Sequence, residues 1–146
     1  MNVDPKLEWF LDTNILVYAY DRSAGNKHKI AADLVRSCWE RESGSVSIQV
    51  LQEFFVNVTR KIASPLDHSA ARQIVADLAQ WHVHSPEVGD LLQAIDYQER
   101  YQLSFWDAAI IQSAMHLGCM QLLSEDLNHG QIYGDLQIVN PFLGGD

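Results

Sequence analysis

Apolar and polar positions along this chain switch repeatedly between short continuous runs and helical spacing. The run Trp9-Phe10-Leu11 breaks at Asp12-Thr13-Asn14 and resumes as Ile15-Leu16-Val17-Tyr18, which predicts a buried strand turning into a helix that continues to Tyr20. Asp21 to Asn26 is turn material, and Lys27 to Glu42 predicts a helix with Ile30, Leu34, Val35 and Cys38 on its apolar side. Ser43-Gly44 ends that helix, and Ser45 to Ile48 forms a short strand. From Gln49 to Ala63 the residues Val50, Leu51, Phe54, Phe55, Val58 and Ile62 fall on one helical face, until Ser64-Pro65 stops the helix. Asp67 to Gln80 reads as a helix, Trp81 to Ser85 as a third strand, and Glu87 to Tyr101 and Ser104 to Leu117 as two further helices. Met120 to Leu123 supplies a fourth strand and Leu136 to Val139 a fifth, before Pro141. This alternation predicts an α/β fold in three layers, with a central, mostly parallel five-stranded sheet flanked by helices.

Length and composition narrow the options. The 146 residues fit one domain, 1–146, and an apolar fraction of 47% excludes a disordered chain. Cys38 and Cys119 lie in different segments without a CxxC partner, a usage that suits a reducing compartment. Met1 to Glu8 carries charges and no long apolar core, and no apolar stretch is long enough for a bilayer. A soluble, cytoplasmic protein with no membrane partner is expected.

The formal net charge of -9 argues against tight electrostatic binding to a nucleic-acid backbone. The distribution of charge matters as much as its sum. Every Lys and Arg lies at or before Arg100, and the basic residues are dense from Arg22 to Lys61. A nucleic acid has a place to dock there, although a charged helix face is also an ordinary solvated surface.

Four carboxylates stand out by position. Asp12 ends the first strand, at the sheet edge where open α/β folds bind ligands; the plainer reading is that it or Asn14 caps the next helix. Glu53 sits at the edge of the apolar face of its helix, one turn from Gln49 and Asn57 and near Arg60. Asp107 lies in the opening turn of Ser104-Phe105-Trp106-Asp107-Ala108-Ala109-Ile110-Ile111, apolar almost all round. Ser104 and Asp107 have capping-box spacing, yet a carboxylate beside so much apolar surface is costly unless paired, and a divalent cation would pair it. Asp126 follows the fourth strand as Asp12 follows the first, or else closes a turn through its own backbone. His82 and His84 lie on one side of a strand, but no third ligand has metal-site spacing, so both read as structural. There is no nucleophile elbow and no phosphate-cradling glycine loop.

In order and spacing, Asp12-Thr13-Asn14, Glu53, Ser104-x-x-Asp107 and Ser124-Glu125-Asp126 resemble the PIN-domain nucleases, most of all the VapC toxins of bacterial toxin–antitoxin pairs. The resemblance runs from Phe10 to Phe142. It implies a Mg²⁺- or Mn²⁺-dependent ribonuclease in which Asp12, Glu53, Asp107 and Asp126 are the catalytic, metal-holding acids. Thr13, Asn14, Ser104 and Ser124 are then supporting polar residues. It further implies an RNA substrate cut to leave a 5′-phosphate and a 3′-hydroxyl, a small antitoxin that blocks the cleft, and commonly a homodimer. Glu125 adds a carboxylate beside Asp126, leaving open which of the two faces the metal.

A donor set of hard oxygens, without Cys or clustered His, favours Mg²⁺ or Mn²⁺ over zinc. Arg60 and Lys61, with the basic residues from Arg22 to Arg41, are the positive charge available to RNA. A basic segment of the antitoxin, placing an Arg against Asp12 and Asp107, suits an acidic cleft. Two other enzymes with acids at strand ends fit less well. A haloacid-dehalogenase-type phosphatase needs a second Asp where this chain has Asn14, and a receiver domain needs a late-strand Lys, whereas no Lys follows Lys61. A metal-free RNA- or protein-binding module is the alternative from another class, and the acidic set argues against it.

Overall fold

The computed structural model describes residues 3–143; residues 1–2 and 144–146 of the expected 1–146 domain lie outside the described residues. Strand β1 (Trp9–Leu11) leads into helix α1 (Thr13–Tyr20), a 3-10 turn at Arg22–Ala24 and helix α2 (Asn26–Arg41). Strand β2 (Gly44–Ser47) is followed by α3 (Ile48–Arg60) and α4 (His68–Leu78), then by β3 (His82–His84), α5 (Val88–Tyr101) and α6 (Phe105–His116). The chain ends through β4 (Gln121–Leu123), β5 (Ile132–Tyr133) and β6 (Leu136–Val139). The sheet order is β3-β2-β1-β4-β6-β5, with every pairing parallel except β5 on β6.

The sheet therefore has six strands, not five. The extra strand is two residues long, with Ile132 opposite Gln137 and Tyr133 opposite Leu136. No periodicity can be read from two residues. The local signal is the turn, Gly134-Asp135, where Gly134 adopts a φ of 59° and reverses the chain at no steric cost.

Because helices cover both faces of the sheet, its central strands are apolar without alternation. Trp9, Phe10 and Leu11 of β1 are buried throughout, as are Leu122 and Leu123 of β4. The chain builds outward from β1 to β2 and β3, then returns to place β4 on the other side of β1. The order of strands thus reverses between β1 and β4, where open α/β sheets form a crevice at the carboxyl ends of the strands. Leu11 pairs with Leu123, and the Asp12 amide donates to the Leu123 carbonyl at 3.0 Å. Asp12 and Ser124 are thereby brought side by side at that crevice.

Gly44 opens β2 rather than merely closing the helix before it. A Cβ there would lie 2.5 Å from the Trp81 ring, which itself packs edge-on against Trp39 with ring centroids 5.4 Å apart. Gly44→Ala is expected to cost about 1–3 kcal/mol, since Trp81 is a bulky core residue with little room to retreat. Gly89→Ala is the control: that position is in α5 with nothing within 4 Å, so Ala should be neutral or stabilising there. Equal melting temperatures for the two variants would refute the packing argument.

Candidate active site

The crevice at the β1–β4 junction is a cleft of about 610 Å³ lined by Asp12, Glu53, Asp107 and Asp126, with Thr13, Asn14, Gln49, Asn57, Lys61 and Trp106 around them. Four elements contribute the acids. Asp12 is the N-cap of α1 and also lines the cleft. One carboxylate oxygen accepts from the Thr13 amide at 2.7 Å, and the other accepts from the Ser124 hydroxyl at 2.7 Å. Thr13 Oγ1 donates to Glu53 at 2.6 Å, linking α1 to α3 across the cleft. Asn14 Nδ2 donates to Asp126 at 3.0 Å while its oxygen accepts from the Glu125 amide at 3.2 Å. Ser124 also accepts from the Asp126 and Leu127 amides, so one hydroxyl ties the turn after β4 to the end of β1.

Ser104 caps α6 by accepting from the Asp107 amide at 3.2 Å. That bond uses Asp107's backbone. Its carboxylate accepts no hydrogen bond among the described residues, and it lines the cleft. Asp126 lines the cleft as well, whereas Glu125 turns aside. The Tyr18 hydroxyl donates to Glu125 at 2.6 Å, and Lys27 forms an ion pair with it. Burial alone would raise the Glu125 pKa, but the Lys27 and Tyr18 contacts outweigh it and hold the carboxyl below its usual value. Lys27 also lies over the Tyr18 and Phe142 rings.

Acidic groups outnumber basic ones in the cleft. The Asp12 carboxyl is pushed up from 3.8 to about 6, mainly by burial, with the Ser124 and Thr13 hydrogen bonds opposing and the charges of Asp126 and Glu53 adding to the rise. Among the described residues, Lys61 is the sole cation in the lining; the neighbouring Arg60 is exposed and outside it. Four carboxylates around one cleft with a single Lys, and no soft ligand in the lining, suit a hard divalent ion. Their ligand atoms do not all come within 4.8 Å of one another. Such a spread fits Mg²⁺, which usually keeps several waters and few direct carboxylates.

Pattern reading missed Trp106. It opens an apolar helix, yet 63% of it is exposed and it stands at the cleft beside Asp107. An exposed tryptophan cannot be told from a core one by spacing alone. Cys38 and Cys119 are buried free thiols, pushed up by burial to about 12 and about 11, and neither is a nucleophile at neutral pH.

The family whose sequence profile matches the chain is the PIN domain, over residues 9–134. No curated protein matches the chain significantly. Among solved structures, a chain of a toxin–antitoxin complex from Klebsiella pneumoniae superposes with a TM-score of 0.69 at 15% identity, covering 92% of this chain and 98% of that one. The sarcin–ricin loop cleaving toxin VapC20 of Mycobacterium tuberculosis gives 0.60 at 19% identity, covering 79% and 87%. VapBC2 of Rickettsia felis, solved with a DNA fragment from its promoter, gives 0.63 at 13% identity, covering 90% and 97%. At these identities the likeness is one of fold.

Proposed function

The chain belongs to the PIN-domain family, and from that premise we propose that it is a metal-dependent endoribonuclease acting as the toxin of a toxin–antitoxin pair. The observation that carries this reading is the convergence of Asp12, Glu53, Asp107 and Asp126 on one cleft, with Asp12 pushed up to about 6 chiefly by burial and further by the charges of Asp126 and Glu53. These four residues would hold Mg²⁺ or Mn²⁺, directly or through bound water. When bound, the ion supplies Lewis acidity toward the scissile phosphate and lowers the pKa of the attacking water.

The chain's own residues do the positioning. Ser124 and the Thr13 amide fix both oxygens of Asp12, Thr13 fixes Glu53, and Asn14 fixes Asp126. Ser104 sets the first turn of α6, and with it the direction of Asp107. No side-chain nucleophile is required, and hydrolysis leaves a 5′-phosphate and a 3′-hydroxyl. Lys61 offsets phosphate charge at the cleft, with Arg60 next to it on the surface. Trp106 offers an exposed ring on which an unpaired base can stack.

Trp106→Ala is therefore expected to weaken binding of single-stranded RNA by about 1–3 kcal/mol, with Trp106→Phe largely restoring it. Replacing Arg60 and Lys61 together should flatten the salt dependence of binding. Both are measured by titration in the Asp107→Asn background, where substrate survives. Wild-type affinity in Trp106→Ala would remove the stacking role, and an unchanged salt slope would move the RNA surface elsewhere.

The partner reading has its own support. An apolar groove of about 420 Å³ runs between α3 and α4, lined by Ile48, Leu51, Phe55, Val56 and Val75. Gln52 and Val56 border both this groove and the acidic cleft. An antitoxin with an apolar stretch followed by a basic segment would fill the groove and carry an Arg to the carboxylates. A homodimer has a candidate face on α5, where Val88, Leu91, Leu92 and Ile95 form an exposed apolar stripe at helical spacing. Among the described residues no helix is long and apolar enough to cross a membrane, and we place the protein in the cytoplasm. Expression alone should arrest growth, and co-expression with the adjacent gene product should relieve the arrest and yield a complex. Normal growth with active protein and no co-purifying basic partner would overturn the toxin assignment while leaving the nuclease reading standing.

A further inference from the structure

We propose that His84, Asp90 and His116 form a second metal site, distinct from the acidic cleft and suited to zinc. Three elements meet there. His84 ends β3, Asp90 lies in the first turn of α5, and His116 is the last residue of α6, which packs against α5. Among the described residues these three are the one group of metal-ligating side chains whose ligand atoms all lie within 4.8 Å of one another. His84 Nε2 is 3.2 Å from one oxygen of Asp90, and His116 Nδ1 is 3.4 Å from the other. The two nitrogens approach different oxygens of Asp90, and the imidazoles stack with centroids 4.2 Å and planes 25° apart, so an ion shared by all three would draw the half-exposed His116 ring round toward Asp90.

The His84 side chain is 4% exposed, and its Nε2 faces one oxygen of Asp90 at 3.2 Å. Burial and the neighbouring His116 lower the pKa of His84, against the pull of Asp90.

The surroundings are those of a supported ligand set. His84 Nδ1 meets the Ser113 hydroxyl at 2.7 Å. Asp90 accepts from Gln112 Nε2 at 2.9 Å and from the Glu87 amide at 2.9 Å, and Gln112 is braced in turn by Gln93. Such outer contacts orient metal ligands and tune their basicity. His116 is half exposed beside an open hollow bordered by Glu87, Gln93 and Asp96, leaving room for water at a fourth position. Two imidazoles and one carboxylate favour zinc and its transition-metal neighbours over Mg²⁺.

The expected role is mechanical. Asp107 stands in the first turn of α6 and His116 at its last residue, about 13 Å apart along the helix axis. An ion joining β3, α5 and α6 would clamp the far end of the helix that carries Asp107 to the edge of the sheet. Sequence spacing hid the site, because its third ligand comes from α6, far from His82 and His84 in the chain.

The test is calorimetric titration of ZnCl₂ into chelator-stripped full-length protein carrying Asp12→Asn and Asp107→Asn, so that the acidic cleft is crippled. One equivalent should bind and raise the melting temperature. Adding His116→Ala, a half-exposed position that tolerates truncation, should lower zinc affinity at least roughly 100-fold; Asp90→Asn should do the same. In the otherwise wild-type chain, His116→Ala should leave Mn²⁺-supported RNA cleavage in place. Absence of zinc binding by the cleft double variant, or zinc affinity unchanged by His116→Ala, would overturn the proposal.

Discussion

Asp12→Asn is expected to abolish RNA cleavage and, in the same molecule, to stabilise the metal-free fold. The loss should be roughly 1,000-fold or more, equivalent to about 4 kcal/mol of transition-state stabilisation, because the proposed mechanism assigns the Asp12 carboxylate, which lines the cleft, to the metal. The gain follows from the pKa of Asp12. Unfolded, the carboxyl ionises near 3.8; in the fold it ionises near 6, so above that pH its charge costs the native state up to about 3 kcal/mol. Asn carries no charge but offers only one acceptor to two donors, the Thr13 amide and the Ser124 hydroxyl. A net gain of about 1–2 kcal/mol remains, or a few degrees in melting temperature. The sign with pH is fixed: the gain is full above pH 6, shrinks as pH falls, and vanishes below the unfolded value, where both states are protonated. A variant that loses activity and stability together at pH 7.5 would instead mark Asp12 as a structural cap.

Binding of Mn²⁺ should carry the same signature. At about 100 times its dissociation constant, an ion that binds only the native state adds about 2.7 kcal/mol of stability. To bind, it must displace the proton from Asp12, so affinity should be level above pH 6 and fall about tenfold for each pH unit below it. Melting curves with and without Mn²⁺ from pH 5 to 8 read this directly. Asp12→Asn should remove both the shift and its pH dependence. A melting shift of equal size across that range would mean that the ion binds somewhere other than at Asp12.

Much of the fold is legible in the sequence because each element announces itself over several residues. The apolar runs of β1 and β4 and the one-sided pattern of α3 follow from burial on two faces and on one face. What fails to show is short or distant. Two-residue β5 leaves no period to read. Gly44 reads as a helix stop because its partner, the Trp81 ring, is brought over it only by the pairing of β2 with β3. At the site, the spacing of Asp12, Glu53, Asp107 and Asp126 locates carboxylates that the fold gathers into one cleft. The choice between Glu125 and Asp126 is not in the sequence, since Lys27 and Tyr18 draw Glu125 aside from a different helix and the end of α1. Trp106 and the His84–Asp90–His116 group are hidden for the same reason. Exposure and convergence belong to the tertiary structure.

The most direct measurement is cleavage of single-stranded RNA by chelator-stripped protein, with Mg²⁺ or Mn²⁺ restored or withheld, followed by identification of the new ends. The expected result is no cleavage in chelator, full activity on adding either ion, and fragments bearing a 5′-phosphate and a 3′-hydroxyl. Undiminished cleavage in chelator, or fragments ending in a 2′,3′-cyclic phosphate, would contradict a metal-held water as the nucleophile and with it the role of the four carboxylates.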